Sequence, residues 1–294
     1  MKRTFKSLLA AAGLAFIGLG SLLTATPADA AITNVGPFNG ITCRRYDGQT
    51  FPGNSHYYDC TVGAPYTGYN ATTQGVINMI TGSVAYPNVK NVLQTAPSTS
   101  IFLFNNAWDM TAWFSTVPWG TPAEKLATWN RYKDTAGSTL DPLAPTPCQS
   151  RIFVAAAKNA YDQMVVLSTS EFQSSVAHEI GHCYNAYAGG TIANRPSNRA
   201  GMSAAAAKDK AYLLANAPNG TGQALFNTYS YWLNNMDELF AQQFSKSYVG
   251  NSTGPNQVLT SYYQCTRFYT QFWMKNQASP TPANYTAGGL SRCN

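Results

Sequence analysis

Histidine is scarce in this chain, with three in 294 residues. Two of them stand four apart around a glutamate, in His178-Glu179-Ile180-Gly181-His182. On a helix, side chains four apart stack on one face, so both imidazoles can point at a single cation. Glu179 lies about a hundred degrees round the same helix, where it reaches a water at that cation rather than the cation itself. Such a set supports hydrolysis by an activated water. The competing account is a helix that merely carries two histidines, and a composition this poor in histidine argues against it.

A catalytic zinc takes three protein ligands and keeps one position open. Asn185 and Ala188 stand where an extended pattern would place a glycine and a third histidine. His56 lies far upstream and reads as a loop histidine. The third ligand is therefore expected from a downstream carboxylate, and two candidates remain. Glu238, in Asp237-Glu-Leu-Phe-Ala-Gln-Gln-Phe244, shares a helix face with Ala241, Gln242 and Ser245, while Leu233, Met236, Phe240 and Phe244 form a core stripe. A carboxylate above an alanine suits close packing of two helices, so Glu238 is preferred. Asp209, between Lys208 and Lys210, reads more readily as a solvated helix charge. Asp237 points away from the Glu238 face and reads as a surface acid. Cys183 follows His182 directly and so points away from the cation.

The elements that must position these groups are legible around them. Ser168 with Glu171 three residues on forms a capping box, and Gly189-Gly190 supplies a stop. Between them Phe172, Val176, Ile180, Cys183, Tyr184 and Tyr187 recur at helical spacing as a buried face, and Glu171, Ser174, Ser175, His178, His182 and Asn185 form a small, polar one. Strands are expected at residues 101–104, 151–155 and 162–167, the last two separated by Asn159-Ala160 and leading into the histidine helix. Helices are expected over residues 71–81, 88–95, 123–133, 203–215, 234–248 and 258–275, with a short helix or turn over 222–231. Trp108, Met110 and Trp113 read as core residues.

Residues 1–30 carry a basic start (Lys2, Arg3, Lys6), an apolar run over residues 8–23 and a small-x-small site at Ala28-Asp29-Ala30, the pattern of an export signal. Its removal lowers the formal net charge from +6 to +4. That balance is mild and has no basic run, which gives no reason to invoke nucleic acid or a membrane surface. All six cysteines fall after the signal. In an exported chain an even count predicts three disulfides. Cys43–Cys60 and Cys265–Cys293 are the local pairs, which leaves Cys148 with Cys183. Residues 31–67, rich in Gly, Pro, Asn and Tyr, read as a disulfide-closed lead-in, a cap or propeptide, ahead of a main domain over residues 68–294.

His178-Glu-Ile-Gly-His182 followed by Tyr231 and then Glu238-Leu-Phe-Ala-Gln242 resembles the metallopeptidase domain of anthrax lethal factor and its relatives, over residues 150–250. In that family the second motif reads Glu-Phe-Phe-Ala-Glu, with a tyrosine seven residues before the metal glutamate, and Tyr231 and Glu238 keep that spacing. Gln242 departs from the pattern where the family has its second glutamate. The resemblance implies Glu238 as third ligand and the Tyr231 hydroxyl near the scissile carbonyl. With the residue reading it gives an α+β, zincin-like domain: a mixed sheet, an active-site helix and a C-terminal helical subdomain. The function expected is that of a secreted, monomeric zinc metalloendopeptidase with His178, His182 and Glu238 on Zn2+ and Glu179 and Tyr231 catalytic. Its partners would be protein or peptide substrates, with no nucleic acid and no membrane. The alternatives are a catalytically silent zinc-binding or interaction protein on the same fold and a structural zinc domain, neither of which needs Glu179.

Overall fold

Parallel strands cannot be joined by a tight turn, and the sheet of this protein is built around that constraint. The computed structural model describes residues 32–38, 41–46, 57–61, 68–95, 100–110, 121–123, 137–138, 151–160, 163–250 and 255–294. Six strands, β1 (Ile32–Phe38), β2 (Ile41–Tyr46), β3 (Tyr57–Cys60), β4 (Ser100–Phe104), β5 (Gly137–Ser138) and β6 (Arg151–Ala155), form one sheet in the order β1-β2-β3-β4-β6-β5. The β1–β2, β2–β3 and β5–β6 pairs are antiparallel, whereas β3–β4 and β4–β6 are parallel. The connection from β3 to β4 carries two helices, α1 (Tyr69–Thr81) and α2 (Pro87–Thr95). β4 is the continuous apolar run Ile101-Phe-Leu-Phe104, buried along its length, as a strand covered on both faces must be. The three strands of residues 31–67 thus pair into the same sheet as β4 and β6. The Cys43–Cys60 disulfide ties β2 to β3.

After β6 the chain does not send the next strand back into this sheet. β7 (Ala157–Ala160) and β8 (Gln163–Val166) form a separate two-stranded antiparallel ribbon, with Ala160 opposite Gln163. Asn159 and Ala160, expected to separate two strands, therefore lie inside one. A hairpin this short needs a connection of only two residues, so the break falls later than the apolar pattern suggests.

The described residues are mostly helical. The histidine helix α3 (Thr169–Ala188) is followed by α4 (Ala200–Asn216), α5 (Gly222–Thr228), α6 (Ser230–Asn234), α7 (Met236–Tyr248), α8 (Pro255–Tyr262), α9 (Gln264–Asn276) and α10 (Pro282–Ala287). The expected capping box on α3 is made in both directions: the Ser168 hydroxyl accepts from the Glu171 N–H and the Glu171 carboxylate from the Ser168 N–H. At the other end the returning loop crosses Gly189 so closely that a β-carbon there would lie 2.0 Å from the Asn194 carbonyl oxygen. Only glycine fits.

The expected apolar face of α3 enters the core, with Phe172, Val176, Ile180 and Tyr184 fully buried. Its small, polar face is covered too, by α7. The two helices run antiparallel in a seam where Asn185 meets Asp237, His178 meets Glu238, Gly181 meets Ala241 and Ser174 meets Ser245. The hydroxyls of Ser174 and Ser245 lie 3.0 Å apart, and Ser245 also donates to the Ser174 carbonyl at 2.8 Å. Small residues let the backbones approach, so polar groups on both helices become buried partners.

Two expectations about the helical region are corrected. Residues 258–275 are not one helix: the chain breaks at Tyr263 between α8 and α9. Trp108 is 43% exposed rather than core, while Met110 is buried as expected. The Cys265–Cys293 disulfide forms, and Cys183 is also disulfide-bonded. Cys148, His56, Trp113, residues 1–30 and most of the helix expected over 123–133 lie outside the described residues. Among the described residues no helix is long and apolar enough to cross a membrane.

A β-carbon on Gly181 would sit 3.0–3.1 Å from the Phe244 ring and from the Ala241 backbone. Gly181→Val should therefore force the two helices apart and destabilise the fold by about 1–3 kcal/mol, read from the urea midpoint. An unchanged midpoint would show that the seam is not tight.

Candidate metal centre

The seam fixes the site because it brings the start of α7 against the third turn of α3. Asn235 caps α7, its side-chain oxygen accepting from the N–H groups of Asp237 and Glu238. This puts Glu238 in the first turn, where the helix dipole favours a carboxylate. Its Oε2 lies 3.2 Å from His178 Nε2 and 3.6 Å from His182 Nε2. The two imidazole nitrogens are 3.0 Å apart, with the rings edge to face. The three side chains are 11%, 13% and 16% exposed for His178, His182 and Glu238, so the triangle is recessed but open on one side. This group, with its ligand atoms all within 4.8 Å of one another, could hold a metal ion.

Electrostatics separates the two glutamates. Burial raises the pKa of Glu238, but hydrogen bonds to His178 and His182 and the charges of both rings outweigh it, and hold the carboxyl well below the usual range. Glu179 is buried, and burial pushes its pKa up to about 8; His178 opposes the rise and Glu238 adds to it. The surroundings thus favour the ionised form of Glu238 and the protonated form of Glu179. His178 Nδ1 is buried and has no hydrogen-bond partner among the described residues, unlike the usual arrangement in which a ligating imidazole donates from its second nitrogen.

Tyr231 belongs to the same cluster. It is 61% exposed, and its hydroxyl donates to Glu238 Oε1 at 3.0 Å. The side chain does not pack in the core, and its ring meets Trp232 edge to face.

The rival third ligand lies elsewhere. Asp209 is fully buried, not a solvated helix charge, and its carboxylate accepts from the backbone N–H groups of Cys265 and Thr266 and from the Thr266 hydroxyl. Arg292 pairs with it at 3.2 Å. Asp209 therefore caps α9 from the side of α4, and that cap is what breaks the helix at Tyr263. Burial raises its pKa to about 6 against the opposing pull of these donors. Gln242, where the resembled family has a glutamate, turns from the triangle and donates to Asn256 at 2.8 Å.

Sequence reasoning missed the groups around Asp237. Its carboxylate accepts from Asn185 and Ser197 and pairs with Arg195 at 2.6 Å, so it is not a plain surface acid. Asn185 had carried a signal, since it lies one turn beyond His182 on the polar face of α3. Ser197 and Arg195 sit in a loop that no periodicity marks.

Compared with known proteins, the chain matches no family model, no curated protein and no solved structure.

Asp209→Asn should lower stability by about 1–3 kcal/mol, because an amide turns a donor toward the N–H groups that the carboxylate accepts. Chemical denaturation measures that loss. Metal uptake by the folded variant should match the parent protein, and a loss of metal would place Asp209 in the site after all.

Proposed function

We propose that this protein is a secreted, zinc-dependent hydrolase of peptide bonds, and the dimensions of the His178–His182–Glu238 triangle carry the reading. Zinc with bonds of about 2.0–2.1 Å in a tetrahedron requires ligand atoms about 3.3–3.4 Å apart. The triangle has edges of 3.0, 3.2 and 3.6 Å. Two imidazoles and one carboxylate are also the donor set of several catalytic zinc centres, with the fourth position left to water or substrate.

When bound, zinc supplies a Lewis acid that polarises a carbonyl and brings the pKa of water toward neutrality. The chain's own residues do the rest. His178 and His182 present their Nε2 atoms on one side of α3, and the α3–α7 seam brings Glu238 to them without a large rearrangement. Glu179, on the next face of α3, accepts a proton from the attacking water and delivers it to the departing amine. Its buried setting favours the protonated carboxyl, and added positive charge favours the ionised one, so its proton affinity is set to move with the charge of the site. Tyr231 is exposed enough to leave Glu238 and donate to the oxyanion that develops on the substrate. Disulfides at both ends of the described chain suit an oxidising compartment, and export itself rests on residues 1–30.

The test is metal analysis joined to a peptidase assay. The parent protein should carry about one zinc per chain and lose hydrolysis to a chelator. His178→Ala and Glu238→Gln should lose the metal, whereas Glu179→Gln should keep it and fall in kcat by about 10²–10⁴. Zinc at full stoichiometry with no hydrolysis would leave a silent metal-binding protein.

Tyr231→Phe gives an independent check on the hydroxyl. It should keep the zinc and lower kcat by about 10²–10³ with KM little changed. An unchanged kcat would make the Tyr231–Glu238 bond a resting contact only.

A further inference from the structure

The first turn of a helix is its least restrained part, since its N–H groups have no partners within the helix. Glu238 stands in that turn, so something outside α7 must fix it against the histidines. The residue before it makes that connection. Asp237 Oδ1 accepts from the Asn185 amide at 3.1 Å and from the Ser197 hydroxyl. Its Oδ2 pairs with Arg195 at 2.6 Å. Asn185 and Ser197 are joined to each other twice: the Asn185 amide donates to the Ser197 hydroxyl at 2.8 Å, and the Ser197 N–H donates to the Asn185 side-chain oxygen at 3.0 Å. Asn185 and Ser197 are both almost fully buried, and the Asp237 side chain is 31% exposed.

The placement gives this network its leverage. Asn185 lies three residues after His182 on α3, and Asp237 lies one residue before Glu238 on α7. The loop that supplies Arg195 and Ser197 is itself held, since the Tyr269 hydroxyl donates to the Pro196 carbonyl at 3.1 Å. A bond from Asp237 to Asn185 therefore spans the same gap as the contact between Glu238 and the histidines, one step along the seam. Further along, Gly181 against Ala241 and Ser245 on Ser174 hold the later turns of α7, whereas its first turn meets α3 through Asp237 and Glu238. The Asp237 clamp restrains that turn beside Glu238.

We propose that Asp237 is a positioning residue, whose clamp to Asn185, Ser197 and Arg195 sets the rotation of the first turn of α7 and with it the direction of the Glu238 carboxylate toward the metal. The inference rests on the reading of the triangle as a metal centre. It assigns no contact between Asp237 and the metal or the substrate.

The test compares Asp237→Ala and Asp237→Asn with the parent full-length protein in three measurements: zinc affinity by chelator competition, the visible absorption of the cobalt-substituted protein, and the thermal midpoint without metal. Asp237→Ala should weaken zinc about 10–100-fold, the usual loss on removing a residue that orients a ligand. Its cobalt bands should shift as the carboxylate withdraws. Asp237→Asn retains an acceptor for Ser197 and Asn185 but loses the charge pair with Arg195, so its loss should be smaller. A merely structural role would lower the thermal midpoint and leave the zinc affinity and cobalt spectrum of the folded variant at parent values, which would overturn the proposal. Should Asp237→Ala not fold, Ser197→Ala removes one donor from the clamp, and parent-like zinc affinity and spectrum in that variant would overturn it equally. If the parent protein takes up neither zinc nor cobalt, the metal reading fails first and this inference with it.

Discussion

The close antiparallel packing of α3 against α7 is the constraint on which the rest of the site depends. Helix pairs normally stand 8–10 Å apart, with the distance set by the side chains at the contact. Here those side chains are Ser174, Gly181, Ala241 and Ser245, so the helices come near enough for the Ser245 hydroxyl to reach a carbonyl of the other helix. Nothing larger could be accommodated at Gly181 without displacing backbone. At a greater separation the Glu238 carboxylate would fall short of the imidazoles, and the buried hydroxyls of Ser174 and Ser245 would lose their bonds across the seam. The small residues of the seam thus act on the geometry of the site through distance.

The same seam explains why two glutamates in one site behave oppositely. Glu238 emerges at the N-terminal end of α7, among imidazoles, a tyrosine hydroxyl and a favourable helix dipole. Glu179 leaves the flank of α3 into a buried setting, where loss of water raises its pKa more than the charges of His178 and Glu238 change it. Both carboxyls lose water, and the difference lies in what replaces it. A ligand must stay ionised, and a proton carrier must be able to take either form. The fold supplies the two environments within one crossing.

What the sequence made legible follows from how local each signal is. The histidine helix announces itself through Ser168, Glu171 and the spacing of Phe172, Val176, Ile180 and Tyr184, all within twenty residues of one another. Glu238 could be reached because its neighbour Ala241 already implied a close crossing. The break at Tyr263 could not, because the cap that makes it is contributed by Asp209 on a helix far upstream. Trp108 was misread because an aromatic residue carries no mark of whether its surroundings cover it. β7 was missed because its strand character comes from pairing with β8 and not from its own composition. Asp237 was misread for a similar reason, since its partners Ser197 and Arg195 belong to a single short 3-10 turn over Pro196–Asn198 and its N-cap, too brief to show a period in the sequence.

Asp209 and Glu238 show why a buried carboxylate is not by itself a sign of chemistry. Each sits beside a helix start, Asp209 fully and Glu238 partly removed from water, and each was a reasonable choice for a third ligand. Asp209 accepts from two backbone N–H groups and one hydroxyl and pairs with a nearby guanidinium, so both of its oxygens are engaged by fixed partners. Glu238 has one oxygen on Tyr231, an exposed group, and the other on two imidazole nitrogens that could themselves face a cation. Its partners are those a cation can displace or share, whereas the partners of Asp209 are fixed backbone. The first carboxylate caps the start of α9 and holds α4 to it. The second keeps a direction available, and that availability, more than burial or charge, is what a metal ligand needs before the ion arrives.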